Sequence, residues 1–233
     1  MKRFFRVLGV ACLSATLLLA ACSSGGTETS KNENKSESNG SEASSEINGV
    51  SVEKPIKVDK EAGTVTVLSK VNGKYLEEGT RHAVVYEGGK FGSKSIFTGL
   101  GDQIDFYNGL IEIGATAGNN MFKDTAAETN VEGDAIETTF TWEGADKEYK
   151  IDEVINDSNG KPIEMRFGGN LKASEENQTG CIMCLDSCPV GIVSNATYTY
   201  GAVEKRDEVV FTGNKDVLPE DGTLVAVTFK VAK

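Results

Sequence analysis

Histidine occurs once in this chain, as His82, and of the five cysteines Cys12 lies inside an N-terminal leader and Cys22 directly follows it, leaving three beyond. Any imidazole in a functional site is therefore His82, and any thiol chemistry falls to Cys181, Cys184 and Cys188. Basic residues are outnumbered, 24 Lys and Arg against 35 Asp and Glu for a net charge of -11, and none of them cluster along the sequence. Phosphate backbones need a basic face, so nucleic acid is not an expected partner. Nucleophile and phosphate signatures are missing too. No G-x-S-x-G turn frames Ser187, and Gly88-Gly89 and Gly168-Gly169 lack phosphate-loop spacing, so they read as turns or close backbone approaches. Leu185 stands where C-x-x-C-H haem attachment requires histidine, and the C-x3-C-x2-C order of radical S-adenosylmethionine sites is reversed.

Long apolar runs are equally scarce. The one from Val7 to Ala21 follows Lys2, Arg3 and Arg6, the layout of an export signal, and is too short and too early for a stable membrane span. It ends Leu19-Ala20-Ala21-Cys22, which resembles a bacterial lipobox and makes Cys22 the expected lipidated first residue after cleavage of a signal peptide over residues 1–21. Residues 22–46 hold that cysteine and a linker with eight serines, five glutamates and no aromatic residue. Such a composition cannot bury enough apolar surface to offset the entropy of ordering. As a flexible leash it reaches roughly 25–30 Å. The expected location is the extracytoplasmic face of the cell membrane, with the lipid anchor as the membrane contact.

Residues 47–233 are of a size for one domain with a real core. Thr64–Ser69, His82–Tyr86, Ile136–Trp142 and Leu224–Val231 are β-branched or aromatic and read as half-buried antiparallel strands. Asn159-Gly160 is expected to fold Tyr149–Ile155 and Ile163–Phe167 into a hairpin. One helix is expected after Asp102 as cap, with Ile104, Tyr107, Leu110 and Ile111 facing the sheet and Gly114 ending it. The resulting fold class is α+β: a mainly antiparallel β domain with one or two short helices.

The stretch Cys181-Ile-Met-Cys184-Leu-Asp-Ser-Cys188-Pro189 matches the last three cysteines and the proline of a C-x2-C-x2-C-x3-C-P ferredoxin run. Gln178 occupies the position of the first cysteine, so a complete iron-sulfur cluster needs another ligand or a second chain, which would make the protein a homodimer sharing the centre. Zinc takes three thiolates and one imidazole, leaving His82 as the fourth ligand, and copper(I) accepts the same soft set. Alternatively, Cys181 and Cys184 form a dithiol that cycles with a disulfide, with Cys188 as resolving thiol. The flanking Gly180 and Pro189-Val-Gly191 suggest a loop. Glu87, Asp102, Glu112 and Asp186 show no spacing that selects an acid-base pair, and they read as solvated charge.

His82–Gly89, Leu110–Asn120, Pro162–Asn170 and Gly180–Ala196 together resemble the YdjY-type domain of exported bacterial proteins, over about Lys54 to Lys233. The resemblance implies the label ferredoxin-like, which such proteins carry because of the cysteine run, and no settled activity. The expected function is a membrane-anchored lipoprotein that binds a metal or iron-sulfur centre for electron transfer or metal handling, with a redox partner protein. The alternatives are a metal-free thiol-disulfide redox protein and a scaffold whose cysteines pin a loop.

Overall fold

The computed structural model describes residues 46–232. The leader, Cys22 and nearly all of the linker lie outside the described residues. In chain order the elements are β1 (Ile56–Asp59), β2 (Thr64–Val71), β3 (His82–Tyr86), β4 (Ser95–Gly99), α1 (Gln103–Glu112), β5 (Ile136–Trp142), β6 (Tyr149–Lys150), α2 (Ile151–Val154), β7 (Ile155–Asp157), β8 (Met165–Phe167), α3 (Leu171–Asn177), β9 (Cys181–Cys184), β10 (Val193–Asn195), β11 (Phe211–Gly213) and β12 (Leu224–Val231). Strands dominate and the helices are short. No helix among the described residues is long and apolar enough to cross a membrane.

One sheet runs β6-β5-β12-β2-β4-β3-β9-β10-β8, with β1 also pairing β2. Its long central strands are held by register: Val227 faces Val67 on one side and Phe140 on the other. Pairing is antiparallel except for β3 with β4 and β9 with β10. An isolated bridge from Ala135 to Arg166 ties β8 back to the residue before β5, so the sheet curls and its edge is covered.

α1 begins where Asp102 accepts a hydrogen bond from Ile104 N at 2.7 Å, as its position before the apolar run predicts. The buried face differs from the sequence reading by a rotation of the helix: Gln103, Phe106, Gly109 and Leu110 are inside, while Ile111 is 46 % exposed. Phe106 decides it, since its ring packs 4.6 Å from that of Phe229 and is fully buried. Burying such a side chain stabilises the fold by about 1.5–3 kcal/mol. Gly109 lets the helix sit close, because a Cβ there would lie 3.0 Å from Val58 and 3.2 Å from Val65.

The expected hairpin does not form. The turn is present, with Gly160 N bonded to Asp157 O at 2.9 Å and Gly160 at φ 65°, but its arms part. β7 pairs with β11 in a separate two-stranded sheet, and β8 pairs with β10. Asn159 is spent on Tyr198 Oη and the Glu208 carbonyl, distant in sequence, so tertiary partners override the local signal. The strand β3 is also more central than a half-buried strand: His82, Ala83, Val84 and Val85 are all buried.

Candidate functional site

Cys181–Cys184 is strand β9 rather than a loop, and its flanks are held by glycines. Gly180, at φ 73°, lies against Gly89 so closely that a Cβ on Gly89 would stand 2.5 Å from Gly180 Cα. This lets Tyr86 N reach Gly180 O at 2.8 Å and starts the pairing of β9 with β3. The sequence misled here because glycine and proline flanks resemble loop punctuation, whereas the thiols behave as small apolar residues.

On a regular strand, residues three apart point to opposite faces. The β3–β9 register is interrupted: His82 faces Cys184, Val84 faces Met183 and Val85 faces Cys181, with shifts between them. This irregularity sends Ile182 and Met183 together into the main core, while Cys181 and Cys184 join Cys188 and Val85 in a separate cluster. His82 Nδ1 lies 3.8 Å from Cys181 Sγ. A ligand atom from each of His82, Cys181 and Cys184 lies within 4.8 Å of the other two. All three cysteines are free and fully buried.

Cys188 packs against the same cluster without joining that tight group. Asn170 holds its loop by donating to the Cys188 carbonyl at 3.2 Å and to the Gly191 carbonyl at 3.1 Å. Gly191 leaves room for the sulfurs, since a Cβ there would sit 3.0 Å from Cys184 Sγ. Gln178, where the ferredoxin run would have its first cysteine, is exposed at the end of α3, so the position does not point into the cluster.

The electrostatics separate His82 and Cys188 from Cys184. Burial, with help from the Arg81 and Lys94 cations, lowers the His82 pKa to about 3 and keeps the ring neutral. Its face stacks on Phe91 at 5.3 Å. A hydrogen bond from Cys184 and the nearby Arg81 guanidinium bring Cys188 down to about 7 against the opposing effect of burial. Hydrogen bonding with Cys181 and Cys188, then burial, pushes the Cys184 thiol well up.

Asp186 is not a solvated charge. It is fully buried; its Oδ1 accepts from both Nε (3.2 Å) and Nη2 of Arg81, and its Oδ2 accepts from Gly201 N at 2.8 Å. Burial raises its pKa while Arg81 and Gly201 oppose the rise. Burial also opposes the charge of Arg81, but Cys188, Asp186 and Cys184 outweigh it and hold the guanidinium protonated. Sequence reasoning passed over Arg81. The available signal was a cation next to His82 and an anion inside the cysteine motif. Of the other carboxylates, Asp102 is a helix cap, Glu112 pairs with Lys60 at the surface and Glu87 is exposed. Ser187 Oγ donates to the Asn195 carbonyl and accepts from Val131 N, a structural role.

The matching family model is the YdjY domain, and it spans residues 56–230. The chain belongs to the YdjY domain family. It is 50 % identical over 221 residues to "Uncharacterized protein YdjY" of Escherichia coli (strain K12), covering 95 % of each chain. No solved structure gives a significant match. The residues of the cluster, from His82 to Cys188, all lie inside the YdjY match.

Proposed function

We propose that this YdjY domain holds a metal ion on His82, Cys181 and Cys184, and serves in electron transfer or metal handling outside the cell membrane. The observation that carries this reading is the gathering of one imidazole and two thiols within 4.8 Å, all buried. A tetrahedral ion with metal–sulfur bonds of about 2.3 Å and metal–nitrogen bonds of about 2.0–2.1 Å sets its donor atoms roughly 3.5–3.8 Å apart. The 3.8 Å between His82 Nδ1 and Cys181 Sγ is within a few tenths of an ångström of the nitrogen–sulfur spacing such an ion sets, about 3.6 Å. A multi-iron cluster places iron and sulfide between its thiolates and needs them spread further, so a single zinc or copper(I) ion fits these donors better than an iron-sulfur cluster.

The donors come from one chain, which supports a centre complete without a second copy. Cys188 packs beside Cys184, its residue contributing to the wall of a surface cleft while its side chain stays buried. The lipobox-like leader carries the placement on the membrane surface, with Cys22 as anchor. A redox partner protein fits the electron-transfer branch.

Metal and acid-labile sulfide analysis of the full chain, purified in detergent without oxygen, tests this. About one equivalent of zinc or copper per chain without sulfide, lost in a Cys181→Ser/Cys184→Ser variant, is the expected result. Iron and sulfide in equal amounts would replace the single ion by a cluster. No metal in either protein would overturn the reading in favour of a thiol-disulfide couple, which the lowered pKa of Cys188 beside Cys184 supports as the second reading.

A further inference from the structure

A cleft of about 670 Å³ opens over the buried cluster, with His82 and Cys188 among its walls. Arg81, Lys90, Lys94, Lys123 and Lys205 line it, and the carboxylates facing them are Asp124 and Glu204. In a chain of net charge -11 this concentration of cations is the reverse of the whole. The fold brings them together from the residue before β3, the β3–β4 connection, the loop after α1 and the segment following β10.

The four lysines are not used up by the protein, whereas the arginine is. Arg81 is committed to Asp186 and also approaches Glu204 at 3.9 Å. Among the described residues Lys90, Lys94, Lys123 and Lys205 make no ion pair with a carboxylate. Lys90 and Lys94 instead stand 5.7 Å and 5.4 Å from the centre of the Phe91 ring, and Lys205 stands 4.7 Å from that of Tyr200. A cleft walled by cations in a low-dielectric recess concentrates anions. Its walls also carry apolar surface: Phe122 is 65 % exposed at the rim, and Phe91, Pro189 and Val190 continue it inward. Concave sites of this size, apolar with a few placed charges, bind small molecules.

We infer that the cleft binds a small organic anion with an apolar body, the charge held by Lys90, Lys94 and Lys123 and the body lying against Phe122, Pro189 and Val190. Bound there, the ligand lies over the wall to which His82 and Cys188 contribute, with the thiols buried beneath it. The binding itself rests on the walls of the cleft and stands whether or not the cluster holds a metal.

The test uses two fluorescent probes that differ only by a sulfonate, 1-anilinonaphthalene-8-sulfonate and neutral N-phenyl-1-naphthylamine, titrated into the full chain with and without chelator. The anionic probe should bind at least tenfold more tightly, and its affinity should fall as salt is added. Lys90→Glu/Lys94→Glu/Lys123→Glu, all at exposed positions, should lower that affinity at least tenfold with unchanged circular dichroism, while Lys230→Glu outside the cleft should not. Equal binding of the two probes, no binding of the anion, or an affinity indifferent to the triple charge reversal would each overturn the inference. Anion binding by a protein that carries no metal before chelator is added would overturn the metal reading alone.

Discussion

His82 Nδ1 and Cys181 Sγ lie 3.8 Å apart although 99 positions separate them in the chain. Their strands are neighbours, and an interrupted register turns Cys181 and Cys184 to the same side as the imidazole. This relationship makes the three donors unequal to Cys188. His82→Gln, Cys181→Ser and Cys184→Ser should each weaken metal binding by more than the 10–100-fold that loss of a merely supporting residue costs. Cys188→Ser should cost less than any of them. Competition against a chromophoric chelator gives the order, and an equal or larger loss at Cys188 would displace His82 or one of the other two thiols from the centre.

Acidification should destabilise the metal-free protein through His82. Its folded pKa of about 3 lies below the unfolded value near 6.5, so between those values the unfolded chain binds a proton that the native chain does not. The contribution of this group is present above pH 6.5 and is lost as pH falls towards 3, amounting to a few kcal/mol at most, on the order of 1.4 kcal/mol for each pH unit. Urea unfolding at pH 7.5 and pH 4.5 should show the loss, and His82→Phe should remove that part of it.

Gly191→Ala should crowd the thiols. Its Cβ would lie 2.6 Å from Ser194 Oγ, 3.0 Å from Cys184 Sγ and 3.2 Å from Cys188 Cβ. Overpacking of this kind costs about 1–3 kcal/mol, and the displaced sulfur should lower metal content as well. Gly63→Ala, where nothing stands within 4 Å and only the φ of 68° is unfavourable, should cost about 1 kcal/mol and leave the metal unchanged.

Breaking the buried Arg81–Asp186 pair from one side should be worse than removing both. Arg81→Met leaves Asp186, fully buried, without its partner and should cost about 3–5 kcal/mol. Arg81→Met/Asp186→Leu should recover much of that loss in urea unfolding. Arg81→Met alone should also raise the pH at which Cys188 reacts with iodoacetamide in metal-free protein, because the guanidinium no longer favours the thiolate while Asp186 still opposes it.

Local chemistry made some elements readable and left others hidden. His82–Tyr86, Ile136–Trp142 and Leu224–Val231 are strands with the bounds their β-branched and aromatic residues suggest, and Asp102 caps the helix it precedes. The hairpin failed because β7 and β8 each find a better partner far along the chain, which no turn dipeptide reveals. The grouping of His82 with the cysteines was legible only as a possibility of ligand chemistry; the irregular β3–β9 register that realises it has no local signature. Asp186 reads as an ordinary surface charge, and nothing marks Arg81, until the fold buries them together.

X-ray absorption at the edge of the bound metal tests the central claim most directly. The account predicts one ion with sulfur neighbours at about 2.3 Å and a single imidazole nitrogen at about 2.0–2.1 Å, the imidazole signal vanishing in His82→Gln. A shell of oxygen and nitrogen alone, a metal–metal vector, or an imidazole signal unchanged by that substitution would contradict it.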